Sequence, residues 1–406
     1  MRREMKIPFA ILCAVPFIMV LGNSMLIPLL PVIRGALNLT LSQVGLLITA
    51  FSLPAALIIP LAGYLSDRLS RKVVMVPALC IYGLGGLIAG VAALILARPY
   101  PVILAGRVVQ GIGAGGTYQL AMALTGDVFQ SAERSWALGL LEASNGLGKV
   151  VSPIAGAAFG LISWIAPFFA YGILALPIAG LVALVVKEPA KPKADNLTGE
   201  EYLKTLKHIF RAKGASLGTT FLAGSLVLFN LFGVLSLLSD GIEASHGIRG
   251  LWAGLLIALP VGAMALTSYF SGAYLQGQEP RTIKLVTLAG LTLVALGLVL
   301  FGLVTNIYSS FLAVIIQGIG TGGVLTAVNT LITGAANKEE RGIITCLYGS
   351  MRFGGVALGP PVFGLMPAIG RSTLFFAAAT LTAAILVGTL AFLKADSLLV
   401  PQPSPS

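Results

Sequence analysis

Twelve long apolar runs follow one another along this chain of 406 residues. A helix needs about 20 predominantly apolar residues to cross the hydrocarbon core of a bilayer, and each run is long enough. Charged residues make up only 10% of the chain, against about 25% in soluble domains, so a soluble fold of this size would lack the charge to cover its surface. The sequence therefore predicts an all-α integral membrane protein with spans near 8–31, 43–66, 73–96, 101–127, 135–160, 163–187, 214–238, 250–275, 282–305, 308–335, 342–367 and 371–394.

The lysines and arginines are divided unevenly between the two sets of loops. If the N-terminus is cytoplasmic, 19 of the 26 lie on the cytoplasmic side and four, Arg34, Arg98, Arg249 and Arg371, lie outside. Cytoplasmic loops of membrane proteins carry such an excess. The asymmetry predicts that both termini are cytoplasmic. Because most of the basic residues lie in the predicted cytoplasmic loops, the net charge of +11 is explained by membrane topology. No nucleic-acid partner is therefore expected.

One long polar segment, residues 188–213, divides the chain. It begins with a proline-containing stretch and continues as EEYLKTLKHIF, whose apolar residues recur at helical spacing. We predict a cytoplasmic amphipathic helix along the membrane surface, with a solvated linker of nascent helicity as the alternative. The predicted domains are a six-helix bundle at 1–187, this linker, a second six-helix bundle at 214–394 and a cytoplasmic tail at 395–406.

The two halves of the sequence repeat each other. RVVQGIGAGG begins at Arg107 and VIIQGIGTGG begins at Val314, an offset of 207 residues. The same offset relates Glu133-Arg134 to Glu340-Arg341, Gly148 to Gly355 and Pro153 to Pro360. An even number of helices in each half gives both repeats the same membrane orientation. This parallel arrangement is the one in which alternating-access transporters place a site between two halves.

Three motifs resemble those of the major facilitator superfamily. The loop between spans two and three, Gly63-Tyr-Leu-Ser-Asp67-Arg68-Leu-Ser-Arg71-Lys72, matches every defining position of the family signature G-x-x-x-D-R-x-x-R-K. The fourth-helix motif is Arg107-x-x-Gln110-Gly111-x-Gly113. The fifth-helix antiporter motif comprises Gly139, Gly148 and Ser152-Pro153-x-x-Gly156-Ala157, where Ser152 and Ala157 replace two glycines. The resemblance runs from the first helix to the last, and it implies two parallel six-helix bundles in a bacterial inner membrane.

The loop motif is interpreted as a conformational latch between the halves, as the resemblance implies. Gly63 permits close approach at the end of the second span, and Asp67 can satisfy the free N–H groups of a neighbouring helix N-terminus. Arg68, Arg71 and Lys72 can pair with acids or lipid headgroups, and Asp127 is expected to pair with Arg68 or Arg71. A plain topology-determining loop is the alternative.

Small residues on one face of the fifth span let helices approach closely, and Pro153 interrupts the backbone hydrogen bonds and bends the helix. The resemblance implies that Gly139, Gly148, Ser152, Pro153 and Gly156 form a tight, leak-resistant contact near the extracellular side, as in exporters. Ordinary helix packing is the alternative.

Ionisable residues inside a span are costly, so they are candidates for function. Glu142 is the only acid well inside a span, and we predict that it takes up and releases the coupled proton; a structural pair with Lys149 is the alternative. Arg107 resembles the fourth-helix arginine that the family uses in proton transfer. Because arginine keeps its proton, its role would be to position a partner.

The substrate cavity is predicted to carry Asn23, Asn145, Lys149 and Arg352. Many exporters of cationic drugs have an acid in the first helix, whereas this stretch contains Asn23 and no acid. The charged candidates are therefore mainly positive. We expect an anionic, zwitterionic or neutral amphiphile rather than a purely cationic drug.

The sequence predicts a proton-coupled exporter of small amphiphilic compounds that acts as a monomer in the lipid bilayer. It is expected to need no cofactor and no metal. An uptake symporter for a small organic anion is the alternative. A polytopic membrane enzyme is disfavoured, because the two histidines lie far apart in sequence and no catalytic cluster is visible. No nucleotide-binding loop of the type Gly-x-x-x-x-Gly-Lys-Ser/Thr occurs either.

Overall fold

The computed structural model describes residues 5–129, 131–188, 199–334 and 338–398, and every regular element in these residues is a helix. The helices are α1 (Lys6–Ser24), α2 (Leu30–Leu37), α3 (Leu41–Arg68), α4 (Arg71–Ile95), α5 (Tyr100–Gly115), α6 (Tyr118–Val128), α7 (Ser131–Ile162), α8 (Ala166–Val185), α9 (Gly199–His246), α10 (Leu251–Leu275), α11 (Pro280–Leu303), α12 (Ile307–Gly334), α13 (Lys338–Phe363), α14 (Met366–Ile369), α15 (Arg371–Phe392) and α16 (Ala395–Leu398).

Two of the predicted spans are interrupted. In the first, a short 3₁₀ turn joins α1 to α2, because Pro28 and Pro31 have no backbone N–H to donate. In the fourth, α5 and α6 are separated at Gly116 and Thr117, directly after a glycine-rich run of low helix propensity. Both interruptions fall within a stretch that the sequence predicted as one helix.

Ten helical stretches in the described part of the chain are long and apolar enough to cross a membrane. The pair α1 and α2 counts as one of them. The other two predicted spans are the pair α5 and α6, each too short alone, and α13, which begins with the charged residues KEER. The predicted all-α membrane fold is thereby confirmed.

The polar segment between the halves is partly helical. Residues 189–198 lie outside the described residues, and the helix α9 then runs without interruption from Gly199 to His246. The predicted amphipathic helix is therefore not a separate element, because its backbone continues directly into the seventh span. Its position along the membrane surface stays a prediction.

The chain forms two compact units that do not follow the sequence halves. The first unit comprises Met1–Asn196, Gly233–Leu259 and Val356–Leu365. The second comprises Leu197–Phe232, Pro260–Gly355 and Met366–Ser406. Parts of α9, α10 and α13 thus belong to the first unit. The predicted domain division at 188–213 stays a prediction.

Glycines of the repeated motif pack equivalent helices together in the two halves. A Cβ atom at Gly111 of α5 would collide with the backbone oxygen of Phe51 in α3. The repeat-related Gly318 of α12 would collide in the same way with the backbone oxygen of Pro260 in α10. Glycine has no Cβ, so only glycine allows backbones to approach this closely.

The repeat extends to the fifth helix of each half. Gly148 of α7 lies against Phe17 of α1, and Gly355 of α13 lies against Ser225 of α9. These partner helices are themselves the first helices of the two halves. Since equivalent positions contact equivalent helices, the offset of 207 residues is a structural repeat, as the sequence predicts.

Gly318→Ala should lower the free energy of unfolding by about 1–3 kcal/mol, because the added methyl group overlaps the Pro260 carbonyl. Gly262→Ala in α10 is the matched control, since a Cβ atom there meets nothing within 4 Å. The control should be neutral or slightly stabilising, because alanine favours helix. Thermal unfolding of the protein in detergent measures both variants, and equal stabilities would contradict the packing described.

Candidate functional site

Arg107 is a fully buried guanidinium in α5. Its Nε donates to the backbone oxygen of Leu47 in α3 at 3.0 Å, and its Nη1 donates to Gln110 Oε1 at 2.7 Å. Its Nη2 donates to Asn23 Oδ1 in α1 at 2.9 Å, and Asn23 Nδ2 donates in turn to Ser52 Oγ at 2.6 Å. One side chain thus joins α1, α3 and α5 by charge-assisted hydrogen bonds.

Aromatic rings surround the same guanidinium. Its central carbon lies 4.6 Å from the ring centre of Phe51 and 5.8 Å from that of Tyr171. The hydroxyls of Tyr82 and Tyr171 donate to backbone oxygens of α1, at 2.9 and 3.3 Å. The π faces favour the cation, and the hydroxyl bonds fix two of the nearby rings.

The partners described for Arg107 are all uncharged. Hydrogen bonds and π faces therefore offset the cost of removing its charge from water, which is large for an unpaired ion. Both polar ends of Asn23 are engaged in this cluster, so in this conformation its amide is not available to a substrate. The visible role of Arg107 is to connect helices, and its part in proton coupling stays a prediction.

Glu142 lies on α7 beside the start of α6. Its carboxylate accepts a hydrogen bond from the hydroxyl of Tyr118, a side chain that is itself buried. The side chain of Glu142 is otherwise exposed at the surface of α7. The break between α5 and α6 makes Tyr118 the first residue of α6, next to α7. The proton-coupling role of Glu142 stays a prediction.

The remaining predicted cavity residues fall in both units. Asn145 is buried and Lys149 half-buried on α7, in the first unit. Arg352 lies on α13 in the second unit, with its guanidinium carbon 5.4 Å from the ring centre of Tyr348. A shared cavity therefore stays a prediction.

The fifth-helix motif packs α7 against α1. A Cβ atom at Gly156 would collide with the backbone oxygen of Met25, and one at Gly148 would lie 3.2 Å from the backbone oxygen of Phe17. Ser152, between these glycines at helical spacing, is fully buried, and its hydroxyl has no hydrogen-bond partner within the described residues. Gly139 differs, because a Cβ atom there would meet nothing within 4 Å.

Two further close contacts join helices from different sequence halves inside the first unit. Gly254 of α10 lies against the backbone oxygen of Pro153 in α7, and Gly45 of α3 lies against the backbone of Pro360 in α13. Pro153 and Pro360 are equivalent in the repeat. Thr49 also donates its hydroxyl to a backbone oxygen of α13 at 2.5 Å. Close packing at the fifth-helix motif is therefore present in this structure.

Arg71 is the centre of the loop motif. Its Nη1 lies 2.5 Å from Asp67 Oδ1, and its Nε lies 3.5 Å from Asp127 Oδ2. Asp127 thus pairs with one of its two expected partners, whereas Arg68 lies over the ring of Tyr64. All these residues belong to the first unit, so a latch between the halves stays a prediction.

Glu188, which follows α8, caps the N-terminus of α4. Its carboxylate accepts hydrogen bonds from the backbone N–H groups of Arg71 and Lys72, at 2.8 and 2.9 Å, and from the hydroxyl of Ser70 at 2.5 Å. A carboxylate is favoured there by the free N–H groups and by the helix dipole. The role expected of Asp67, to satisfy a helix N-terminus, is performed here by Glu188.

Comparison with known proteins identifies this arrangement. The family model of the Major Facilitator Superfamily matches residues 12–360. This chain belongs to the Major Facilitator Superfamily. The resemblance of the three motifs to this family is therefore confirmed, and this facilitator is a multi-pass membrane transporter and not an enzyme.

Two relatives of this facilitator are bacterial exporters by name. The Bacillibactin exporter of Bacillus subtilis (strain 168) is 39% identical over 357 residues, which cover 87% of this chain and 88% of that protein. Multidrug efflux protein YfmO of the same strain is 29% identical over 376 residues, covering 88% and 85%.

A solved structure has the same fold. The crystal structure of a bacterial homolog to the human lysosomal transporter Spinster, in an inward-facing and unoccupied conformation, matches with a TM-score of 0.74. The match covers 98% of both chains at 17% identity, so it supports the fold alone.

Sequence reasoning missed two residues of this facilitator that take part in the site. Glu188 could have been found as the one acid directly after the sixth span, among basic residues that determine topology. Tyr118 gave no comparable signal, because a tyrosine within an apolar span is usually ordinary core. Its position depends on the break between α5 and α6, which was not predicted.

Glu188→Ala should destabilise the start of α4 by about 1 kcal/mol, because two backbone N–H groups lose their acceptor. Hydrogen exchange at the amides of Arg71 and Lys72 should become faster. Glu279→Ala is the matched control, since Glu279 occupies the N-cap of α11 without a side-chain cap bond. Unchanged exchange in the Glu188 variant would show that the cap contributes nothing to this loop.

Proposed function

We propose that this facilitator exports small amphiphilic compounds by proton-coupled antiport. The observation that carries the proposal is the 39% identity to the Bacillibactin exporter over nearly the whole of both chains. The similarity to a multidrug efflux protein supports the same direction of transport. The close packing of the fifth-helix motif against α1 and α10 is in keeping with an exporter.

The proposed cycle is alternating access, with both termini in the cytoplasm. Gly254 and Gly45 lie near those ends of α10 and α3 that the charge distribution assigns to the extracellular side. Their contacts with Pro153 and Pro360 bring backbones together there. A contact without intervening side chains leaves little room for protons or water. We infer that these contacts keep the predicted outer side closed while substrate enters from the cytoplasm.

Glu142 is the proposed carrier of the coupled proton. Its carboxyl group can take up a proton, and Tyr118 supplies one hydrogen-bond donor to the ionised form. Release to the other side of the membrane requires a conformation in which the surroundings of Glu142 change, as alternating access provides. Arg107 acts indirectly in this scheme, because it keeps its own proton and connects α1, α3 and α5.

The proposed substrate is anionic, zwitterionic or neutral. Lys149 on α7 and Arg352 on α13 are the charged side chains expected to face it, together with one carboxylate, Glu142. Bacillibactin is the first compound to test, because the named relative exports it. Lipophilic cations are the contrasting class, and their preferential binding to the purified protein would contradict the charge argument.

Glu142→Gln should lower the rate of proton-driven transport at least about tenfold, because glutamine cannot take up and release a proton as a carboxyl group does. Everted vesicles with an acidic interior and an internal pH dye provide the measurement. Bacillibactin and amphiphiles of each charge are added in turn. Substrate exchange without a gradient should persist in the variant, because exchange moves no net proton. Glu279→Gln, an acid outside the spans, is the control.

Three results are informative. Collapse of the gradient in the wild type and not in the Glu142 variant would support both the antiport and its carrier. Collapse of the gradient in both the wild type and the Glu142 variant would still support antiport, but it would reject Glu142 as the proton carrier. Substrate movement out of the acidic vesicles together with protons would reject export and support the uptake symporter.

A further inference from the structure

An ion pair joins two sequence halves within the first compact unit. Arg34 lies on α2, which continues the first span, and Asp240 lies on α9, the first long helix of the second half. Arg34 Nη2 is 2.7 Å from Asp240 Oδ1. By distance the two side chains form an ion pair, although the N–H groups of Arg34 do not point at Asp240 Oδ1 in the geometry of a hydrogen bond. The pair therefore acts mainly through charge.

The surroundings of this pair are partly apolar. The two side chains are 34% and 18% exposed, so water screens them incompletely. A small cavity next to Asp240 is lined by Leu30, Pro31 and Leu237, among other residues. Limited screening makes the attraction stronger than that of a pair in open water.

A buried hydrogen bond lies beside the ion pair. Ser239, the residue before Asp240, is 2% exposed, and its hydroxyl donates to the backbone oxygen of Ile27 at 2.8 Å. Ile27 lies in the 3₁₀ turn between α1 and α2. The same stretch of α9 is thus attached to the first span by a charge contact and by a hydrogen bond. Separation of α9 from the first span would break this hydrogen bond and open the packing around Ser239.

A second ion pair nearby provides a natural comparison. Arg249 Nε lies 2.7 Å from Glu243 Oε1, and Glu243 follows Asp240 by three residues on α9. Both members of this pair belong to the second sequence half, and Arg249 is 71% exposed. This pair has the same distance as the pair of Arg34 and Asp240, and its acid also lies on α9, but it does not join the two sequence halves.

We propose that Arg34 and Asp240 form an ion-pair lock that stabilises the closed state of the predicted outer side. The contacts of Gly254 with Pro153 and of Gly45 with Pro360 close the same end through backbone packing. The lock adds charge attraction between α2 and α9, and it must break whenever this side opens. The inference rests on the alternating access of the proposed exporter, and it is independent of which substrate is exported.

The reporter of opening is Ser239→Cys, in a chain whose native cysteines, Cys13, Cys80 and Cys346, are replaced by alanine. A membrane-impermeant maleimide is applied from the side of Arg34 in cells, without substrate. Arg34→Gln and Asp240→Asn should each increase the labelling rate about two- to fivefold, the range expected for a partly exposed ion pair. Arg249→Gln, which removes a 71% exposed arginine of a pair within the second half, is the matched control and should leave the rate unchanged.

The double variant separates a lock from two independent effects. If the residues act as a pair, Arg34→Gln with Asp240→Asn should be labelled no faster than the faster single variant. The lock would be overturned if the effects of the two substitutions multiply, if both single variants are labelled at the wild-type rate, or if the Arg249 control is labelled faster to the same extent. Because labelling needs neither substrate nor proton gradient, failure of export leaves this result intact. Conversely, if the protein exports substrate but the labelling rates of the variants are unchanged, the lock is rejected and the proposed export stands.

Discussion

Helices in a bilayer must hold together without help from the hydrophobic effect, because lipid tails are as apolar as leucine side chains. In this protein, close packing of helix backbones takes the place of the hydrophobic effect. Gly111 and Gly254 each lie where a single added carbon would meet a backbone oxygen of another helix, and at Gly156 it would meet that of Met25, directly after α1. The same device recurs at Gly318 and Gly355 in the second half. These contacts determine which faces of neighbouring helices meet. They thereby determine which charged and polar side chains come together.

Arg107 shows how a polar centre depends on that packing. Gly111 brings α5 against Phe51, and the ring of Phe51 then lies under the guanidinium one helical turn away. The helix contact thereby places Arg107 within reach of the Leu47 carbonyl and of Asn23. Substitution of Gly111 would move the acceptors away from a charge that cannot be released by deprotonation. The glycine and arginine of the fourth-helix motif are therefore parts of one arrangement.

The sequence was sufficient for the fold class and the repeat, because each depends on local pattern or on residue spacing. For Asp127 it left two partners, Arg68 and Arg71, and the structure shows the pair with Arg71. The sequence was insufficient where tertiary contacts decide. The exposure of Glu142 depends on what lies opposite α7, and the cap at α4 depends on where the end of α8 comes to lie. Prolines near Pro28 and glycines before Gly116 could have indicated the two helix breaks. They were missed because the spans were predicted from the length of the apolar runs alone.

The two predicted faces of the membrane are stabilised in different ways within the first unit. At the loop motif, charges and a helix cap connect Arg71, Asp127 and Glu188, all from the first sequence half. At the opposite end, backbone contacts join the two halves, with one ion pair beside them. Backbone packing responds to side-chain size and hardly to salt, whereas an ion pair is weakened by screening. High salt should therefore shift the equilibrium between open and closed outer states only modestly, since Gly254 and Gly45 keep most of the contact.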